Sequence, residues 1–114
     1  MSKSVEELVK AARAAVTEID VAQARALLAA KATFIDVREP PEWDKGTIPG
    51  ALTIPRGVLE WKVGGESALA DRNAPVVVYC QSGGRSAMAA RVLGEMGWTN
   101  VKSLAGGYGA WSSA

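Results

Sequence analysis

The feature that most constrains this chain is a short run of consecutive apolar residues in its C-terminal half. Residues Pro75 to Tyr79, which read Pro-Val-Val-Val-Tyr, do not alternate with polar residues. An unbroken apolar run of that length is typical of a strand that is buried on both faces of a sheet. Such strands occur mainly in parallel sheets with helices on both sides. The run therefore predicts an α/β protein.

Segments of helical and strand character alternate around this run, which fits the same class of fold. The patterns predict helices over residues 5–16, 20–31 and 86–96, strands over 33–37, 52–54 and 101–104, and helical turns at 40–45 and around Trp111. Asp20 and Gln23 resemble a capping box that opens the second helix. Residues 55–73 are predicted to be loop with one or two helical turns. With 114 residues, the chain is expected to form one domain over 1–114, with 1–16 as an N-terminal helical extension.

The composition excludes several classes of function. The chain has no histidine, which removes imidazole bases and metal sites with a histidine ligand. Its one cysteine, Cys80, excludes an internal disulfide, a Cys-x-x-Cys redox pair and a multi-thiolate zinc site. The formal net charge of +1 gives no general attraction to nucleic acid or to an anionic membrane.

Two features of the chain favour a cytoplasmic protein. Charged residues are spread through the first 16 positions, where a secretion signal would need an unbroken apolar stretch, and no run approaches the length of a membrane span. A lone thiol also fits a reducing compartment.

The clearest candidate site directly follows the buried run. Cys80 ends the predicted strand, and Gln81-Ser82-Gly83-Gly84-Arg85-Ser86 forms a glycine-rich loop that leads into a helix. Ligands of parallel α/β sheets bind beyond the carboxyl ends of the strands. Glycine permits backbone conformations in which successive N–H groups turn inward, and such a nest in front of a helix N-terminus binds anions. The spacing therefore predicts an anion-binding loop around Cys80.

This loop also predicts a reactive thiolate. The helix N-terminus and Arg85 both favour the thiolate over the thiol, and an ionised thiol can attack sulfur or phosphorus without a histidine base. From Arg72 to Gly94 the chain has three arginines and no carboxylate, so the stretch is expected to attract an anionic substrate. The hypothesis requires the Cys80 sulfur to be open to solvent. Taken alone, Cys80 would be read as a small buried residue at a strand end.

Three motifs, in order along the chain, resemble those of the single-domain rhodaneses, a family of sulfurtransferases. The first is Asp36-Val37-Arg38-Glu39 followed by Glu42-Trp43 and by residues 46–51. The second is the loop from Cys80 to Ser86, and the third is the segment 104–111. The resemblance extends from about residue 20 to the C-terminus. It implies a rhodanese-like α/β fold, with a central, mostly parallel five-stranded sheet flanked by helices on both faces.

The resemblance also implies a reaction and a set of site residues. Cys80 is expected to take a sulfane sulfur from thiosulfate or a similar small anionic donor, and to pass it from a persulfide to cyanide, a thiol or a protein acceptor. The residues expected to bind substrate are Gln81, Ser82, Gly83, Gly84, Arg85 and Ser86, with Arg85 steering the donor. Asp36 and Arg38 are expected to form an ion pair that braces the loop from behind. No cofactor, metal, nucleic acid or membrane is expected to take part.

Two positions and several alternatives stay open at this point. Thr47 stands where the family usually has histidine, and this difference leaves the local packing open. Trp61 is expected either to wall the pocket or to sit in the core. A persulfide carrier between proteins and a non-catalytic binding module both remain compatible with the sequence. A rhodanese-like phosphatase or arsenate reductase is disfavoured. By family resemblance those enzymes have five residues between the cysteine and the arginine, where this loop has four, and an arsenate reductase needs further cysteines.

Overall fold

The computed structural model describes residues 2–114, and its centre is one five-stranded sheet. The strands are β1 (Thr17–Ile19), β2 (Thr33–Asp36), β3 (Leu52–Thr53), β4 (Val76–Tyr79) and β5 (Val101–Leu104). Their order across the sheet is β1-β5-β4-β2-β3, and every neighbouring pair is parallel. The sequence-based prediction of a five-stranded α/β fold is therefore confirmed.

Helices join these strands and cover the sheet. They are α1 (Val5–Ala15), α2 (Val21–Ala29), α3 (Pro40–Trp43), α4 (Leu59–Lys62), α5 (Gly84–Glu95) and α6 (Gly107–Ser113), with single 3-10 turns at Arg56–Val58, Val63–Gly65 and Ser67–Leu69. The predicted capping box is present, because Asp20 and Gln23 each accept the other's backbone N–H through their side chains. Within residues 2–114, no helix is both long and apolar enough to cross a bilayer.

Strand β4 lies at the centre of the sheet, as its apolar run predicts. All four of its residues are buried. Val76 and Val78 enter one core layer together with Leu93 of α5, whereas Val77 and Tyr79 enter the layer on the opposite face. Because Cys80 directly follows β4, the chain emerges at the carboxyl edge of the sheet with that residue already surrounded by packed side chains.

The structure departs from the sequence prediction at several element boundaries. Strand β1 was not predicted, because it has only three residues at the sheet edge and buries only Ile19. Helix α2 ends at Ala29 and not at Lys31, which takes a left-handed φ of +68°. Helix α5 begins at Gly84, two residues earlier than predicted, so the loop after Cys80 is tighter than expected.

The segment between β3 and β4 carries more helix than predicted, and it explains the position of Trp61. Leu59 and Val63 are fully buried and lie one helical turn apart, which places them on the core side of α4. Trp61 lies between them in sequence, faces the other way and is 82% exposed. The expectation of a core tryptophan is therefore wrong, whereas the expectation that Trp61 walls a pocket stays a prediction.

Candidate active site

The loop after β4 closes around the sulfur of Cys80. The backbone N–H of Gly83 donates to Cys80 Sγ at 3.1 Å, and that of Ser86 donates at 3.4 Å. Gly83 is the N-cap of α5 and has a φ of +110°, a conformation that is strained for any residue with a side chain. Two amide N–H groups therefore point at one sulfur atom. The geometry thus has the inward-turned amides that the glycine spacing predicts.

Ser86 fixes the far side of this loop. Its hydroxyl lies 3.6 Å from Cys80 Sγ, donates to the carbonyl of Gly83 at 3.2 Å and lies 2.9 Å from the hydroxyl of Ser103 on β5. Both serines are fully buried. The paired hydroxyls therefore tie the first turn of α5 to β5, and the Ser86 hydroxyl lies against the sulfur.

The exposure of Cys80 contradicts one expectation from the sequence. Its side chain is a free thiol that is 1% exposed, and it packs within the core layer that contains Val37 and Ile54. The sequence-based hypothesis requires a sulfur that is open to solvent, but in this structure the sulfur is buried. A tight turn of only three residues between Cys80 and α5 leaves little space above the sulfur, which accounts for the difference.

Asp36 and Arg38 form the ion pair that the sequence analysis expects. The guanidinium donates to both carboxylate oxygens, the shortest contact being 2.8 Å from Nη2 to Oδ2, and both side chains are at most 2% exposed. Arg38 also donates from Nη1 to Gln81 Oε1 at 3.1 Å and from Nη2 to the Gly46 carbonyl at 2.8 Å. Burial disfavours the charge, but the hydrogen bonds that Arg38 donates to Asp36, and the negative charge of that carboxylate, outweigh it and raise the pKa of Arg38.

Arg85 does not present a free charge to the site. Its Nη1 and Nη2 donate to the two carboxylate oxygens of Glu42 at 2.7 and 3.0 Å. Hydrogen bonding to Arg85 lowers the pKa of Glu42 to about 2, although burial acts in the opposite direction. The expectation that Arg85 steers an anionic donor stays a prediction, and in this structure a carboxylate from α3 partly compensates its charge.

The other arginines of the predicted positive stretch also lie away from the sulfur. Arg72 precedes β4, so it lies at the opposite end of that strand from Cys80, where its guanidinium stacks 3.7 Å from the Trp98 ring centroid. Arg91 is exposed on α5, two turns beyond the loop. The linear charge pattern consequently overstates the positive charge at Cys80.

Helix α6 begins directly against the loop. The amide of Tyr108 donates to the Cys80 carbonyl at 2.8 Å, and that of Gly109 donates to the Gln81 carbonyl at 3.1 Å. Gly107 has a φ of +59° and lies so close to the backbone of Cys80 and Gln81 that a β-carbon has no room. The absence of a side chain at Gly107 thus allows α6 to approach the backbone of Cys80 and Gln81 and to hold it by these two hydrogen bonds.

A cleft of about 700 Å³ opens beside the loop, on the side of α3 and α6. The residues that line it are Arg38, Pro41, Glu42, Lys45, Gln81, Tyr108 and Ser112. The loop contributes Gln81, which is exposed, and the neighbouring Ser82 is exposed as well. Gly83 is buried, and Gly84 and Arg85 are partly buried. The loop therefore has an exposed half at 81–82 and a packed half that contains the amide of Gly83.

The segment around Thr47 is held by its neighbours. The Gly46 carbonyl accepts a hydrogen bond from Arg38, and the Ile48 amide donates to the Tyr79 hydroxyl at 2.9 Å. Ile48 itself is fully buried. The backbone on both sides of Thr47 is thus fixed without a histidine at this position.

Sequence reasoning missed Glu42 and Ser103 as residues of this site. Glu42 belongs to the first motif, so its position was visible, but a partner 43 residues away has no local signal. Ser103 lies in a strand that reads Val-Lys-Ser-Leu, so nothing in the local pattern marks its hydroxyl as buried.

The geometry of this site agrees with the comparisons with known proteins. A family model described as Rhodanese-like domain matches residues 20–114. The chain belongs to the rhodanese-like family. Residues before position 20, which include α1 and β1, lie outside that match.

Two curated relatives have similar lengths. Thiosulfate sulfurtransferase 16, chloroplastic, of Arabidopsis thaliana is 35% identical over 104 residues, which cover 84% of this chain and 87% of the relative. The human thiosulfate:glutathione sulfurtransferase is also 35% identical over 104 residues, with 82% and 90% covered. These relatives support a sulfurtransferase activity for the chain in broad terms.

Two solved structures are similar over most of the chain. The human single-domain sulfurtransferase TSTD1 aligns with a TM-score of 0.76 and 31% identity over 86% of this chain and 96% of its own. RPA3614 from Rhodopseudomonas palustris, described as a protein of unknown function and possible tyrosine phosphatase, aligns with a TM-score of 0.86 and 30% identity over 99% and 92%. With the family match, the first of these confirms the rhodanese-like fold.

Proposed function

We propose that this protein is a thiosulfate sulfurtransferase that works through a persulfide on Cys80. The observation that carries the proposal is a lone cysteine at the end of the central strand, whose sulfur accepts hydrogen bonds from two loop amides. In the proposed reaction those amides donate to Sγ of the thiolate that attacks the donor, and again to Sγ when it leaves as the thiolate in the second half-reaction. The chemistry requires no histidine, metal or cofactor.

The proposed reaction has two half-reactions. In the first, the Cys80 thiolate attacks the sulfane sulfur of thiosulfate, the S–S bond of thiosulfate breaks, and sulfite leaves with the bonding electron pair. In the second, cyanide or an acceptor thiolate attacks the outer sulfur of the persulfide, which yields thiocyanate or a new persulfide and regenerates the Cys80 thiolate. A thiol acceptor requires a reducing compartment, so we propose that the protein works in the cytoplasm.

The burial of Cys80 imposes a condition on this mechanism. With 1% of the residue exposed, the donor reaches the sulfur only after the loop moves outward. We propose that residues 81–84 make this movement, because Gln81 and Ser82 are exposed and the two glycines carry no side chains to withdraw. Asp36 and Arg38 then act as positioning residues, since their buried ion pair is bonded to Gln81 of the loop through Arg38 Nη1.

Mass spectrometry and a thiocyanate assay test the proposal together. We expect the intact protein to gain one sulfur atom on incubation with thiosulfate, and to release it as thiocyanate when cyanide is added. Cys80→Ser is expected to abolish both signals, because no other cysteine is present. Its unfolding midpoint serves as the control for folding.

Other outcomes of the same experiment separate the alternatives. Sulfur uptake without release to cyanide or small thiols would indicate a persulfide carrier that acts on a protein acceptor. Absence of uptake from any sulfane donor would contradict the proposal and favour a binding module. Hydrolysis of an aryl phosphate that depends on Cys80 would favour a phosphatase, the activity suggested for RPA3614.

A further inference from the structure

Helix α1 lies outside the region that matches the family model, yet it packs against the candidate site. Both γ-carbons of Val9 are 3.7 Å from the position that a β-carbon on Gly84 would take. One turn further along the helix, Ala12 is 1% exposed. A capping box between Ser4 and Glu7 fixes the start of the helix. The extension is therefore a packed part of the structure and lies next to the first turn of α5.

This packing brings Arg13 onto the loop. Arg13 follows Val9 by four residues, so the two share a helix face, and helical side chains incline toward the N-terminus of their helix. Its Nη2 lies 3.3 Å from the position that a β-carbon on Gly83 would take. Gly83 is the residue whose amide donates to Cys80 Sγ. The Arg13 guanidinium thus lies against the part of the loop that holds the sulfur.

Of the three guanidinium groups at this loop, that of Arg13 has the loosest carboxylate partner. Its Nε is 4.0 Å from Glu18, and its side chain is 43% exposed. By contrast, Arg38 and Arg85 bind their carboxylates at 2.8 and 2.7 Å. An exposed cation with a distant partner keeps N–H donors for a ligand, and guanidinium groups bind oxyanions through paired hydrogen bonds. Guanidinium N–H donors of the kind that Arg85 uses for Glu42 are therefore available on Arg13 of α1.

We propose that Arg13 binds the anionic sulfur donor and that α1 thereby completes the donor site. The ligand class is a small sulfur oxyanion that carries sulfonate-type oxygens, with thiosulfate as the probe. The inference rests on the proposed function, because it assigns the donor-binding residue of that same reaction. It also gives the N-terminal extension a role that the family motifs do not include.

Two measurements on Arg13→Gln test the proposal. In two-substrate kinetics, kcat/KM for thiosulfate is expected to fall by about two- to fivefold, the range of one exposed charge interaction, while kcat/KM for a neutral thiol acceptor stays unchanged. In the second measurement, Cys80 is alkylated with iodoacetate, an anion, and with iodoacetamide, which is neutral. The rate with iodoacetate divided by the rate with iodoacetamide is expected to fall by a similar factor.

Matched variants separate charge from structure. Arg13→Lys keeps the positive charge, so its ratio of iodoacetate to iodoacetamide rates is expected to stay close to that of the wild type. Arg25→Gln removes the same charge from α2, which contributes to the core layer on the opposite sheet face, and is expected to change neither measurement. An unchanged ratio in Arg13→Gln, or an equal loss of both kcat/KM values, would overturn the assignment. A lowered ratio in a protein that transfers no sulfur would instead support the anion site and refute the proposed function.

Discussion

Two arginine–carboxylate pairs flank the candidate loop, and they differ in burial far more than in chemistry. The Asp36–Arg38 pair has side chains that are 0% and 2% exposed, whereas Glu42 and Arg85 are 30% and 39% exposed. The buried pair also binds Gln81 and the Gly46 carbonyl, while Arg85 bonds only to Glu42 among the hydrogen bonds of its guanidinium within residues 2–114. The Asp36–Arg38 pair is therefore part of the core, whereas the Glu42–Arg85 pair responds to solvent conditions.

The largest effect on stability is expected when the buried pair loses its carboxylate. Asp36→Asn leaves Arg38 charged, buried and short of its acceptor, which costs about 3–5 kcal/mol of folding free energy for a buried pair. Urea unfolding monitored by tryptophan fluorescence measures the change. Replacing both residues by apolar ones of similar volume, Asp36→Leu with Arg38→Met, is expected to cost less. A single variant that loses under about 1 kcal/mol would show that the pair is not structural.

A smaller effect is expected when the exposed pair loses its carboxylate. Glu42→Gln removes one partly exposed ion pair, so the free energy of unfolding at neutral pH should fall by under about 1 kcal/mol. The variant also releases the charge of Arg85, and kcat/KM for thiosulfate is expected to rise by about twofold. Donor kinetics that stay the same or slow down would show that the Arg85 charge does not act on the donor.

The same variant gives a signature in acid. The pKa of Glu42 is about 2 in the folded protein and near 4.5 when unfolded, so its stabilising contribution is complete above pH 4.5. That contribution is lost as the pH falls from 4.5 toward 2, because the unfolded state takes up the proton first. The stability difference between wild type and Glu42→Gln should therefore shrink over this window. A difference that is constant with pH would contradict the depressed pKa.

These pairs also show how far local sequence patterns reach. The apolar run predicts β4, and the glycines predict the amides that point inward at the sulfur. The first motif predicts the Asp36–Arg38 pair, whose members are only two residues apart. The partner of Arg85 lies 43 residues away, and Arg13 meets Gly83 through helix packing, so neither contact has a local pattern. The burial of Cys80 likewise depends on several elements at once. Local periodicity predicts elements and short motifs, whereas charge compensation and access depend on tertiary contacts.

The smallest effect is expected for Arg85→Lys, and Arg38→Lys, measured beside it, gives the matching value for the buried pair. Lysine keeps the charge but not the paired geometry, so Arg85→Lys should cost less than about 0.5 kcal/mol, and 1 M salt should screen most of that. Arg38→Lys loses several buried hydrogen bonds at once and should cost several times more, with little dependence on salt. Urea unfolding at low and high salt measures both. Equal costs for the two substitutions would mean that burial does not distinguish the pairs.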